Sequence, residues 1–272
     1  MKALVVSKKS SFDFYSNSND KKTRDYAVIG PHSASLKSAK ASHENTLESV
    51  VRDLVRMGTE WKLAYRESLA EVDIPSYDLI VAVGGDGTFL DASHYIRSTP
   101  ILGVNSDPER SVGFYCAADA ETFKKYLTDQ NIEQFSRLEV KVDGKTLPLA
   151  LNEILIAHSN PAAMTRYTLK TSEGEENIRS SGLLVCTPTG SGAWMLNAGG
   201  LPMDIGQKEF QYLSRDSHGQ KSKFAESISV VSHTREARIF VDGEHLSYPI
   251  ELGSTINIGF GEPLNIIGGL RS

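Results

Sequence analysis

The sequence predicts an α/β N-terminal domain with a parallel sheet, residues 1–133, followed by an all-β, sandwich-like C-terminal domain, residues 134–272. Three observations carry that expectation. In the first half, short apolar runs alternate with segments of helical spacing. One of those runs breaks abruptly into a glycine turn, Gly84-Gly85-Asp86-Gly87-Thr88. Past about residue 134 the rhythm changes to short alternating runs separated by Gly, Asn, Asp and Pro.

Residues 2–6, 61–65, 79–83 and 100–104 read as strands. Leu79-Ile80-Val81-Ala82-Val83 is apolar at every position, as a strand covered on both faces requires. Between the first two strands lies a polar, Ser- and Lys-rich stretch, residues 7–42, which reads as a long connection whose order the sequence leaves open. Leu47, Val50, Val51, Leu54 and Val55 then recur at helical spacing and stop at Gly58. A second helix is expected over 89–96. Asp119 caps a third, with Phe123, Tyr126 and Leu127 on one face. In the second half, strands are expected at 137–142, 151–157, 167–171, 183–186, 227–231, 238–241 and 255–258. Asp143-Gly144 and Asp242-Gly243 are the hairpin turns.

A chain of 272 residues accommodates two moderate domains. Net charge −5 and 40% hydrophobic residues describe a globular protein without the basic balance of a nucleic-acid binder. No apolar run has the length of a bilayer span. The opening MKALVVSKK passes straight into a strand, with no secretory or Arg-rich presequence, so a cytoplasmic protein is expected. Cys116 and Cys186, both in apolar surroundings, make neither a disulfide framework nor a zinc set.

The chemistry concentrates in a few places. In the first glycine loop, Gly84, Gly85 and Gly87 allow tight backbone approach, and amides at a helix start cradle anions. Asp86 is the odd member, because a carboxylate beside a phosphate needs a task. It can hold Mg²⁺ or take the proton of an attacking hydroxyl. A second loop, Thr187-Pro188-Thr189-Gly190-Ser191-Gly192-Ala193-Trp194, follows a strand. Its hydroxyls at Thr187, Thr189 and Ser191 and its amides near Gly190 and Gly192 can bind phosphate oxygens, with a helix starting near Ala193. The alternative is a plain polar turn. Asn152-Glu153 interrupts an apolar run, and either grips ribose hydroxyls or an amide edge or is an exposed edge pair. Asn105 to Arg110 follows a strand at the expected ligand edge of the sheet. Arg110 either forks onto phosphate or ties its own loop down. Trp194 either stacks on a base or fills the core, and the scattered histidines show no metal spacing.

With GGDGT, Asn152-Glu153, TPTGSGAW and a late Asp-Gly in this order, the chain resembles the NAD kinases over most of its length. Asn105 to Ser111, Ser180 to Leu183 and Ala193-Trp194 are similar to the mitochondrial-type branch. The resemblance implies transfer of the γ-phosphoryl of ATP, or of polyphosphate, to the 2′-hydroxyl of the adenosine ribose of NAD. It implies Asp86 as general base, with Gly87 and Thr88 beside the substrates and Mg²⁺ or another divalent cation as helper. Asn152 and Glu153 would bind NAD, and Thr187, Thr189, Gly190, Ser191, Gly192, Ala193, Trp194 and Asn197 would line the dinucleotide and phosphate cleft. The common pattern Arg-x-Asp-Gly is here Arg179-Ser180-Ser181-Gly182, so a carboxylate expected near the nicotinamide is replaced by Ser181. Gly192, Trp194 and Asn197 stand for the usual Thr, Tyr and Ser, and little chain remains after Ile267 for a returning C-terminal segment. Relatives suggest a homodimer or homotetramer. Two rivals stand beside this reading: a lipid or diacylglycerol-type kinase sharing GGDGT, and a non-catalytic dinucleotide sensor.

Overall fold

The computed structural model describes residues 1–271. By its contacts the chain forms two units, one from residues 1–134 together with the stretch from Leu264 on, the other spanning Phe135–Pro263.

The first unit is built on parallel strands β1 (Lys2–Ser7), β2 (Glu60–Tyr65), β3 (Leu79–Gly84) and β4 (Ile101–Asn105). β1 pairs with β2 on one side and with β3 on the other, so the strand order reverses at β1. In open parallel sheets the crevice beyond the carboxyl ends at such a reversal collects ligands. Ser7 lies in register with Val83, so the chain leaves β1 beside the glycine turn that ends β3. A short strand β5 (Ile132–Phe135) closes this part of the chain. Every residue of β3 is buried, as its unbroken apolar run requires.

Residues 7–42, whose order the sequence left open, are largely helical. They form α1 (Ser11–Ser16), α2 (Lys21–Val28) and the first turns of α3 (Ser33–Arg56). Ser10 caps α1 by accepting from Asp13 N–H, and Asp20 caps α2 by accepting from Thr23 N–H. The inward stripe of α3 begins with Ser33, His43 and Thr46 and only then becomes apolar at Val50 and Leu54. A stripe that is polar for three turns has no hydrophobic period to read. Val50 and Leu54 pack with Phe123 and Leu127 of a later helix against Val5, Val81 and Val104 of the sheet. The helix after the glycine turn, α4 (Asp86–Ser93), starts three residues earlier than expected. α5 (Phe123–Thr128) follows Asp119, whose carboxylate accepts from the Glu121 and Thr122 amides.

The second unit is a sandwich of two antiparallel six-stranded sheets. Its strands run β6 (Leu138–Val142), β7 (Lys145–Thr146), β8 (Glu153–His158), β9 (Thr165–Thr171), β10 (Gly174–Ser180) and β11 (Gly182–Cys186). A four-residue helix α6 (Trp194–Asn197) precedes β12 (Phe210–Arg215), β13 (Lys223–Ala225), β14 (Ser227–Ser232), β15 (Ala237–Val241), β16 (Leu246–Ile250) and β17 (Thr255–Phe260). The sheet orders are β10-β9-β14-β17-β6-β7 and β13-β12-β11-β8-β15-β16. Alternate residues such as Val140, Leu169, Val230 and Ile256 meet Ile154, Leu183, Phe210 and Ile239 between the layers. The outer face of the second sheet is apolar too, and Leu155, Leu184 and Leu213 lie under Met195 of α6. β7, β10, β12, β13 and β16 went unread; β10 is an edge strand whose sequence GEENIRS is exposed almost throughout.

The last strand, β18 (Leu264–Ile267), corrects the expected C-terminal organisation. It lies between β4 and β5 in the first sheet, so the chain returns to the unit it started from rather than ending in the second. Three apolar residues suffice, because Leu264, Ile266 and Ile267 are fully buried there.

Truncating Leu54, fully buried in α3, to alanine is expected to lower unfolding free energy by about 2–5 kcal/mol. Removing the α1 cap with Ser10→Ala is expected to cost about 1 kcal/mol. Urea denaturation followed by far-UV circular dichroism ranks the two; equal effects would mean that the α3 stripe does not carry the packing.

Candidate active site

The first candidate site is the turn from β3 into α4. Gly85 caps the helix, and its carbonyl accepts from Thr88 N–H at 3.0 Å and Phe89 N–H at 3.2 Å. None of Gly84, Gly85 and Gly87 has positive φ, so the turn does not need glycine for backbone conformation. It needs glycine for space. A Cβ at Gly84 would overlap the Thr88 side chain, and one at Gly85 would sit 2.7 Å from Ser111 Oγ. Gly87 meets only Arg66 Nη1 at 3.8 Å, ordinary contact, and leaves the first turn of α4 open. Thr88 does not face a ligand: it is 1% exposed, and its Oγ1 has no hydrogen-bond partner among the described residues.

Asp86 stands half-buried at the first position of α4. Its Oδ1 accepts from Tyr115 N–H at 2.8 Å, and the Tyr115 ring stacks on Phe89 at 5.2 Å between centroids. One carboxylate oxygen is thus fixed by a buried backbone. The other, Oδ2, has no hydrogen-bond partner among the described residues. Burial, followed by the charge of Asp86, pushes the Cys116 thiol up to about 12, which removes it as a nucleophile.

Around this turn the structure adds residues that the sequence reading missed. Lys8 directly follows β1, and its amine is lowered by burial and then by the charge of Arg66. Arg66 pairs with Asp91 of α4 at 3.0 Å. His43, buried on α3, contacts Ser7 Oγ at 3.0 Å through Nε2 and Ser106 Oγ at 2.9 Å through Nδ1, tying the ends of β1 and β4 to the helix. Burial and then the charge of Lys8 lower its pKa. A lysine one residue past the first strand was the available signal. Asn105 and Arg110, by contrast, serve their own loop. Asn105 is fully buried and donates to Ser111 O at 2.9 Å, while Arg110 holds Asp107 at 2.8 Å and Ser38 Oγ at 3.0 Å.

The second candidate site begins β8. Asp242, in the left-handed region at φ 48°, accepts through Oδ1 from Asn152 N–H at 2.7 Å and Glu153 N–H at 3.0 Å, and through Oδ2 from Leu151 N–H at 2.8 Å. The residue read as a hairpin turn, and as the late Asp-Gly of the family resemblance, is therefore the clamp that shapes the Asn152-Glu153 turn. Thr187 N–H donates to Asn152 O at 2.9 Å, and a Cβ at Gly190 would overlap the Asn152 backbone. The glycine lets the second loop lie directly on that turn.

The hydroxyls expected to hold phosphate are spent inside the loop. Thr187 Oγ1 donates to Leu151 O at 2.6 Å, Thr189 Oγ1 donates to the same carbonyl at 3.1 Å, and Ser191 Oγ donates to Pro188 O at 2.7 Å. All three residues are buried. The expected helix is only α6, too short for a strong terminal dipole. What the loop exposes is Gly192, with open space around it, Asn197 and Trp194. Trp194 is not a core residue: it is 36% exposed, with the Arg215 guanidinium 5.0 Å above its ring. Ala193 is half-buried between them. Arg179 is exposed on β10 opposite Arg166, and Ser181 donates its amide to Arg215 O at 2.9 Å.

Glu153 is the anomaly of this site. It is 7% exposed, its Oε2 has no hydrogen-bond partner among the described residues, and burial followed by the charge of Asp242 raises it to about 8. A buried acid kept neutral donates a hydrogen bond as well as accepting one. Among the described residues no group of three or more His, Cys, Asp or Glu side chains could hold a metal.

A strand, a glycine turn bearing a helix-initial aspartate, and a polar turn clamped in a β-sandwich define a nucleotide-dependent phosphotransferase. Residues 15–134 match the ATP-NAD kinase N-terminal domain. A probable NADH kinase from Oryza sativa subsp. japonica is 35% identical over 82% of this chain and 80% of its own, and the NADH kinase of Arabidopsis thaliana is 34% identical over 84% of each. An NAD kinase crystallised with ATP, from Archaeoglobus fulgidus, superposes with a TM-score of 0.68 at 25% identity, covering 98% of this chain and 93% of that one. Yeast NADH kinase complexed with NADH has the same TM-score at 16% identity, over 98% and 83%, a likeness of fold. The chain belongs to the NAD kinase family, and it is a kinase.

Because the folded pKa of Glu153 lies above its ordinary value of 4.5, the folded state binds the extra proton. Stability is therefore greatest below about pH 4.5 on this account and falls as pH rises through about 8. Glu153→Gln should flatten that decline and make the protein more stable than the parent at pH 8, as read by urea denaturation at several pH values. An unchanged slope would remove Glu153 from this role.

Proposed function

We propose that this kinase transfers the γ-phosphoryl group of ATP to the 2′-hydroxyl of the adenosine ribose of NAD, forming NADP. The observation that carries the reading is Asp86: one oxygen locked on Tyr115 N–H, the other without a partner, at the first turn of a helix beyond a strand reversal. A ribose hydroxyl attacks poorly until a neighbouring base takes its proton, and the Asp86 carboxylate is that base. The open amides at the start of α4 attract phosphate oxygens. Lys8 and Arg66 add positive charge for the same anion. Asn152 offers amide donors and an acceptor to the dinucleotide, and neutral Glu153 donates to one of its acceptor atoms.

A divalent cation such as Mg²⁺ fits this arrangement only through Asp86 and the substrate phosphates, with water completing its shell. When bound it would neutralise charge developing on the phosphates. Polyphosphate is the other donor to test. The names of the two plant relatives favour a second acceptor, NADH. The polar Asn152-Glu153 turn argues against a lipid acceptor, which wants an apolar cleft. Among the described residues no helix is long and apolar enough to cross a membrane. A cytoplasmic homodimer or homotetramer is the setting we expect.

NADP or NADPH formation should appear with Mg-ATP and NAD or NADH, and lipid should remain unphosphorylated. Asp86→Asn retains an oxygen for Tyr115 N–H, so its melting temperature should stay near that of the parent while turnover drops by about 10²–10⁴-fold. Undiminished turnover would take the general base away from Asp86, and phosphorylation of lipid alone would reject the acceptor.

A further inference from the structure

Helix α3 changes character along its inward face. Val50 and Leu54 pack on the sheet, as the apolar stripe of a helix ordinarily does. Earlier in the helix Ser42, His43 and Thr46 replace that stripe, and all three are spent on Ser106, just past the end of β4. Ser42 Oγ donates to Ser106 O at 2.8 Å, Thr46 Oγ1 donates to the same carbonyl at 3.4 Å, and His43 Nδ1 lies 2.9 Å from Ser106 Oγ. Ser106 N–H in turn donates to Gly84 O at 2.8 Å, where β3 enters the glycine turn. On the other side of the ring, His43 Nε2 lies 3.0 Å from Ser7 Oγ, and that hydroxyl lies 3.5 Å from the Lys8 carbonyl. Burying polar side chains costs stability unless they are bonded, and a bonded network fixes directions that apolar contact leaves free. Here the fixed directions lead to the glycine turn and to Lys8.

We propose that His43 is a positioning residue for the phosphoryl donor: through Ser7 and Ser106 it holds Lys8 and the Gly84 turn in one frame, so that the donor phosphates meet both. The inference rests on the reading of Lys8 as positive charge for those phosphates. His43 is 6% exposed with both ring nitrogens occupied, so it acts through its partners and not on the substrate. A neutral imidazole carries one donor and one acceptor. A chain that runs from Ser106 Oγ–H to Nδ1, from Nε2–H to Ser7 Oγ and from Ser7 Oγ–H toward Lys8 O satisfies every member. Burial and then the charge of Lys8 favour that neutral ring, against the weaker pull of Glu44 and Asp107. Lys8 Nζ has neither an ion pair nor a hydrogen bond among the described residues. Its stem is flexible, so the anchored backbone sets where its charge reaches.

Initial-rate kinetics and isothermal titration of the full-length protein with Mg-ATP test the proposal. His43→Ala should raise both the KM for ATP and the Kd for Mg-ATP by about tenfold, the scale of a misplaced charge-assisted hydrogen bond. The KM for NAD should stay near that of the parent, and kcat should fall by less than the KM for ATP rises. His43→Gln, whose amide keeps one donor and one acceptor, should recover most of the lost affinity. Ser7→Ala should weaken ATP binding in the same direction, and adding it to His43→Ala should cost nothing further, because both break one chain. The titration needs neither turnover nor acceptor, so weakened Mg-ATP binding by His43→Ala supports the positioning role even where NAD proves not to be the acceptor. Unchanged ATP affinity with a lowered melting temperature overturns the proposal. So do equal rises in both KM values, or additive effects of Ser7→Ala and His43→Ala. Should His43→Ala fail to fold, Ser7→Ala decides alone, and unchanged Mg-ATP binding in it overturns the proposal as well.

Discussion

The Asp242 carboxylate holds together what the sandwich offers to a ligand. It accepts three consecutive backbone amides, from Leu151, Asn152 and Glu153, and so bends the chain where β8 begins. Each bond to an ionised acceptor is worth about 1.5–3 kcal/mol, enough together to hold Asp242 at a positive φ that costs an L residue strain. The bent backbone then presents the Leu151 and Asn152 carbonyls to Thr187 and Thr189, and Gly190 lets the second loop close on them. The same carboxylate charge helps keep Glu153 protonated. One side chain thus sets both the shape and the protonation of the turn.

The two candidate sites solve different problems. At the β3–α4 turn the carboxylate itself is the exposed chemical group, and buried aromatic packing of Phe89 on Tyr115 fixes its orientation. At the β8 turn the ionised carboxylate is consumed by structure and the acid left over is neutral. An anionic base suits proton removal, whereas a neutral acid beside an amide suits recognition of a ligand with mixed donors and acceptors.

Much of the first unit was legible, because a strand buried on both faces has an apolar run and a helix on a sheet has an apolar period. The exception was residues 7–42, where α3 turns Ser33, His43 and Thr46 inward and the caps at Ser10 and Asp20 were the only surviving signals. In the sandwich, interior strand β17 was readable from alternation and β11 from its unbroken apolar run, while edge strand β10 was not, since an edge exposed on both faces has no apolar side. Thr187, Thr189 and Ser191 show the limit for sites. A hydroxyl is equally able to hold a ligand or its own loop, and only the carbonyls brought up from Leu151 and Pro188 decide between them.

The sequence by itself determined the order of an α/β unit and a β-rich one, the glycine turn with its aspartate, and the ordered set of motifs that marks the family. These are properties of neighbours along the chain, where steric freedom and apolar spacing act directly. Tertiary structure alone decided that Asp242 is a clamp, that Trp194 is exposed under Arg215, that β18 returns to the first sheet, and that Arg166 faces Arg179. Each joins residues separated along the chain, and such pairings follow from register and packing, which no local pattern encodes.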